Sequence, residues 1–250
     1  MTFETILYQV ENGIGRIIMN RPEAMNAITP KMLHELKAAV QTAGVDADVK
    51  VIVLTGAGRA FCAGVDLKAL GERKLERGKV GDILDIPARE LIDIIREVPK
   101  VVIALVNGFC FTGALEIMMG CDIAIASEAA KIGDTHAKWG IRPTWGMTAR
   151  LSRRVGFIKA REMSFTADAI PAKEAERIGL VNVAVPAEKL EETLQTMANK
   201  IMACSAQSIA AYKFMYNTNE SMTLDKALAL EFGTEFDITE TEERIAAFRK

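Results

Sequence analysis

Glu116 stands where an acid is hardest to explain by folding alone. It lies in Gly113-Ala-Leu-Glu-Ile-Met-Met-Gly120, where every neighbour within three positions is small or apolar. Burying a carboxylate in such company is costly unless the group has a partner or a task. Two readings are open on these residues. One is a plain buried strand, turn and helix whose glutamate reaches water. The other is a carboxyl kept in an apolar setting for proton transfer, its pKa raised by burial towards the working pH. The lead-in, Asn107-Gly-Phe-Cys-Phe-Thr-Gly113, suits a site. Small residues let a ligand approach the backbone, and the free N–H groups of a helix start attract developing negative charge.

Other reactive side chains are few. Cys62, Cys110, Cys121 and Cys204 are scattered, without a CxxC pair, and only His34 and His136 could join them. No metal site is expected from that set, and buried thiols in a reducing, cytoplasmic compartment is the expectation. His34 falls off the apolar face of its helix and reads as solvated. A formal charge of −2, from 31 Lys and Arg against 33 Asp and Glu, points away from nucleic acid and from a polybasic membrane contact. No stretch approaches the ~18 apolar residues of a membrane span, and Met1-Thr-Phe-Glu-Thr has no signal-peptide pattern.

The elements that must position these groups alternate between strands and helices. Ile6–Val10 and Ile14–Met19 read as a hairpin around Glu11-Asn-Gly13. Thr29-Pro30 is an N-cap with proline at the first helical position, opening a helix with Met32, Leu33, Leu36, Ala39 and Val40 on one face. The apolar runs Val51–Leu54 and Val101–Val106, and the stretch Asp122–Ala126, read as buried strands. Phe61–Leu67 is expected to leave a strand for a helix. Gly71–Asp82, with Glu72, Arg73 and Lys74, reads as a mobile charged loop, a candidate lid. A helix is expected from about Pro87 to Glu97, amphipathic helices over Phe157–Phe165 and Pro171–Ile178, and a last strand over Leu180–Val185. From Pro186 onward the pattern is helical. The expected class is α/β with an all-helical end.

Four segments carry a resemblance. Asn20-Arg-Pro-Glu-Ala-Met-Asn-Ala-Ile28, Phe61-Cys-Ala-Gly-Val-Asp66, Gly113 to Asp122 with Glu116, and Gly179-Leu-Val-Asn-Val-Ala-Val-Pro186 resemble the enoyl-CoA hydratase/isomerase (crotonase) superfamily, in order and spacing. The resemblance implies a ββα spiral over residues 1–185 and a helical region over 186–250 that serves oligomerisation. It implies homotrimers or hexamers built as dimers of trimers. It implies an acyl-CoA thioester substrate, with coenzyme A as part of that substrate and no separate cofactor or metal. The N–H groups of Val65 and Gly113 match the pair that holds the thioester oxygen, and Glu116 matches one of two catalytic glutamates. At the second glutamate this chain has His136, in Asp134-Thr-His. It reads either as a catalytic or substrate-contacting group or as a loop residue bonded to backbone. Asn26, Ala27, Ala63, Asp66 and Lys68 are expected near the coenzyme A moiety. Trp145 is expected to line the acyl pocket or simply to pack. Three outcomes follow: a hydratase, an isomerase using Glu116 as single base, or a non-catalytic acyl-CoA-binding protein on this scaffold.

Overall fold

The computed structural model describes residues 2–69, 71 and 75–249. Glu72, Arg73 and Lys74, the centre of the expected lid, lie outside them. The chain is built from a repeated step: a strand in a large sheet, a short strand in a small sheet, then a helix. The hairpin β1 (Ile6–Glu11) and β2 (Ile14–Met19) leads to α1 (Pro30–Val45). The step then runs β3 (Val51–Gly56), β4 (Ala60–Cys62), α2 (Asp82–Glu97). It repeats as β5 (Val101–Val106), β6 (Phe109–Phe111), α3 (Gly113–Gly120), and again as β7 (Ile123–Ser127), β8 (Lys131–Gly133), α4 (Met147–Thr166). Strand β9 (Ile170–Pro171), α5 (Ala172–Arg177) and β10 (Val183–Val185) complete the sheets, and α6 (Leu190–Ala203) to α9 (Thr241–Phe248) follow.

The large sheet has the order β1-β2-β3-β5-β7-β10 and is parallel apart from its hairpin; the small sheet runs β4-β6-β8-β9. β3 and β5 are apolar at nearly every position because both faces of the sheet are covered. Alternate residues feed separate cores. Ile52, Leu54, Val102 and Ala104 face the cluster shared with α1, α2 and α3, whereas Val51, Val53, Val101 and Ile103 face Leu190, Leu194 and Ala198 of α6. Each Val, Leu or Ile among them, fully buried, contributes ~1.5–3 kcal/mol. Thr29 caps α1 by accepting from Met32 N, as its sequence position indicates.

Some boundaries differ from the sequence expectation. α2 starts at Asp82, not near Pro87, and Pro87 lies inside it. Gly81, at φ +94°, ends the loop, and its carbonyl accepts from Leu84 and Asp85, so the helix begins before the proline. Among the described residues no α-helix stands between Phe61–Leu67 and α2; instead Val65 bridges Ile28. The helix expected over Phe157–Phe165 is the second half of α4, which begins at Met147 and is broken only at Gly156, where φ is +77°. No helix among the described residues is long and apolar enough to cross a membrane.

Candidate active site

Glu116 sits on the first turn of α3 and is 1% exposed. Its Oε1 accepts two backbone hydrogen bonds, from Trp145 N at 3.1 Å and Met147 N at 2.8 Å. Its Oε2 is free of these and lies 3.7 Å from Nε2 of His136. Burial pushes the Glu116 carboxyl up to about 7, against the opposing pull of His136 and the two N–H groups. A carboxyl poised there can give or take a proton near neutral pH.

His136 is oriented from behind. Its Nδ1 lies 2.6 Å from Oδ1 of Asp134, and the other oxygen of Asp134 accepts from Ser164 Oγ at 2.6 Å. Burial pushes Asp134 up, but the bonds from His136 and Ser164 outweigh it and hold its carboxyl below the usual range. An ionised Asp134 at that distance favours a ring hydrogen on Nδ1, which turns Nε2 towards Glu116.

The turn that holds Glu116 is itself pinned. Trp145 Nε1 and Thr144 Oγ1 both donate to Oδ1 of Asp85, at 2.8 and 2.6 Å. Asp85 is buried on α2. The Trp145 ring lies against Gly113, where an added Cβ would fall 2.3 Å from a ring carbon. One residue thus touches the helix start with its ring and the carboxyl of Glu116 with its backbone N–H.

Among the described residues, two N–H groups are left over. Ile28 N donates to Gly64 O and Asp66 N donates to Ile28 O, so the bridge between these segments leaves Val65 N unused. Gly113 N opens α3, where no carbonyl of the same helix can reach it. A cavity of about 800 Å³ runs past these groups, and Ala27, Ala63, Val65, Asp66, Lys68, Thr112 and His136 line it. Glu116 and Gly113 lie just behind, through His136 and Thr112. Lys68 is exposed at the cavity, as is Arg59, which the sequence reading did not single out.

Asn26 is a correction. It is fully buried, and its side chain accepts from Arg21 N and donates to Ala57 O and Ala60 O, so it cannot meet a ligand. At φ +57° it shapes the turn that presents Ala27. Asp66 does line the cavity, but its carboxylate is clamped by Arg21, at 3.0 Å. Trp145 packs, at 4% exposure, and is not part of the cavity wall. Asp85 and Ser164 were missed. Asp85 carried the same signal as Glu116, an acid on an apolar helix face beside Leu84, Ala88 and Ile92. Ser164 carried none.

The sequence profile described as enoyl-CoA hydratase/isomerase matches residues 9–248. The short-chain-enoyl-CoA hydratase of Clostridium acetobutylicum is 35% identical over 252 residues, covering 99% of this chain and 95% of that protein. The crotonyl-CoA hydratase of Syntrophomonas wolfei is 34% identical over 253 residues, covering 99% and 96%. The crystal structure of the enoyl-CoA hydratase from Bacillus anthracis superposes with a TM-score of 0.90 at 30% identity, over 98% of this chain and 96% of that one.

Proposed function

The chain belongs to the enoyl-CoA hydratase/isomerase family, and from that premise we propose that it adds water across the double bond of a 2-enoyl-CoA thioester. One observation carries the reading: Glu116, with a carboxyl pushed up to about 7, has one oxygen anchored and the other facing His136 across 3.7 Å. Two proton-exchanging groups this close can both reach one water lying beside them, off the line that joins them.

Addition at C3 moves negative charge onto the thioester oxygen. The N–H groups of Val65 and Gly113 receive that oxygen, helped by the positive end of α3. Glu116 Oε2 takes one proton from water as its oxygen bonds to C3. The same carboxyl then returns a proton to C2, so one water is consumed and Glu116 is restored. His136 Nε2 accepts a hydrogen bond from the water's second O–H, which stays intact as the C3 hydroxyl, and so aims the water, while Asp134 keeps the ring in the tautomer that allows this. Ala27 and Ala63 leave room for the thioester arm, and Lys68 and Arg59 are placed to meet phosphates of coenzyme A. Coenzyme A enters as part of the substrate, and no step needs a further cofactor.

Purified protein offered 2-enoyl-CoA and 3-enoyl-CoA thioesters is expected to hydrate the first and leave the second. Double-bond migration without hydration would make it an isomerase with Glu116 as single base. Tight binding without turnover would sink the catalytic reading altogether.

We infer also that the working form is a homotrimer or a pair of trimers. α8 (Leu224–Gly233) and α9 have no buried residue, and Phe232 and Phe248 are 96% and 91% exposed. Aromatic faces of this kind mark an interface. Sedimentation at micromolar concentration should give a trimer or hexamer; a monomer would refute the assignment.

A further inference from the structure

Thr112 holds a backbone conformation that its side chain opposes. Its φ is +50° and its ψ −116°, a region open to glycine and strained for a β-branched residue. Its N–H donates to Gly133 O and its carbonyl accepts from Glu116 N, which tie it to β8 on one side and to the catalytic helix on the other. The peptide that follows carries the Gly113 N–H, so the ψ of Thr112 decides where that N–H points. The side chain reaches the other donor. A Cβ built on Gly64 would fall 2.0 Å from Thr112 Oγ1, so the hydroxyl rests on the Cα of the residue that precedes Val65. Thr112 lines the cavity. Its hydroxyl caps no helix end, and it is not among the buried polar atoms that lack a partner. No hydrogen bond to its Oγ1 is found among the described residues, which leaves it open to the cavity.

We propose that the Thr112 hydroxyl is a third donor of the oxyanion hole, set between the N–H groups of Gly113 and Val65. The proposal rests on the assignment of those two groups to the thioester oxygen. It gives the strained backbone a reason: a glycine would relax there but would bring no hydroxyl. A neutral donor there would strengthen as charge builds on the oxygen, and so would act on the transition state more than on substrate binding.

The test compares the parent with Thr112→Val, Thr112→Ser and Thr112→Gly. Two quantities are read: kcat on a 2-enoyl-CoA, and the ratio of affinities for a saturated acyl-CoA thioester and its thioether analogue, which lacks the carbonyl oxygen. Thr112→Val keeps the branching and removes the donor. It should lose kcat by on the order of 10–100-fold with little change in KM, and should lower the thioester preference. Thr112→Ser should restore both to within about threefold of the parent. Should Thr112→Val not fold, Thr112→Gly, whose backbone is at ease at φ +50°, should fold and show the same two losses. A parent that prefers thioester, with Thr112→Val or Thr112→Gly unchanged in both readouts, overturns the third donor and leaves the two-donor hole standing. A parent with no thioester preference leaves kcat to decide, since the hole acts chiefly on the transition state; a parent that hydrates no 2-enoyl-CoA overturns the assignment on which the third donor rests.

Discussion

Glu116→Gln is expected to bind acyl-CoA, to turn it over on the order of 10²–10⁴-fold more slowly, and to be more stable than the parent above pH 7. The amide oxygen can keep both bonds from Trp145 N and Met147 N, so the turn around Glu116 should survive. What is lost is the proton exchange. The stability effect has a definite sign. The folded-state pKa of Glu116 is raised from 4.5 to about 7, chiefly by burial. Folded protein therefore holds this proton more tightly than unfolded chain does. That contribution is fully present below pH 4.5 and is lost as pH rises through 7. For a group this buried the loss amounts to at most about 3 kcal/mol. Gln does not titrate and escapes it. Melting curves of parent and variant should thus diverge between pH 5 and pH 8, with a gap of several degrees at pH 8, at ~2–4 °C per kcal/mol. Parallel curves would mean that Glu116 ionises in an ordinary setting, and normal turnover would remove it from the mechanism.

His136→Ala should lower the hydration rate by ~10²–10³-fold at unchanged fold and should also move the pH profile. Among the forces on the Glu116 carboxyl, burial is the largest and raises its pKa; the attraction of His136, in its protonated form, is the next and lowers it. Without the imidazole the Glu116 limb of kcat/KM should shift to higher pH. A variant with both the rate and the pH profile of the parent would make His136 an ordinary loop residue. His136→Glu, which restores the superfamily's second glutamate, is not expected to rescue hydration. It would set a carboxylate beside Asp134, which now lies 2.6 Å from the imidazole, and two acids that close cannot both ionise. Asp134 and Ser164 are arranged for a histidine.

Much of the scaffold was legible because burial leaves a local trace. The runs Val51–Leu54 and Val101–Val106 are apolar at every position, since both faces of their sheet are covered. Thr29-Pro30 announced α1 through cap chemistry confined to three residues. Glu116 was visible for the same reason: a charge within an apolar helix contrasts with its own neighbours. The boundary of α2 was not legible, because Gly81 outweighed Pro87 through hydrogen bonds that composition does not display. Asn26 was misplaced because a turn residue that bonds inward and one that meets a ligand have the same local pattern.

By itself, the sequence determined which runs form buried strands, where α1 opens, and that an acid sits where water is scarce. Tertiary structure alone decided what that acid faces. Trp145 and Met147 bond Glu116 from 29 and 31 residues away, Asp85 pins Trp145 across 60, and Ser164 steadies Asp134 across 30. A one-dimensional pattern records how each segment meets solvent. It does not record which segments meet one another, and the pKa of Glu116 and the tautomer of His136 depend on those meetings.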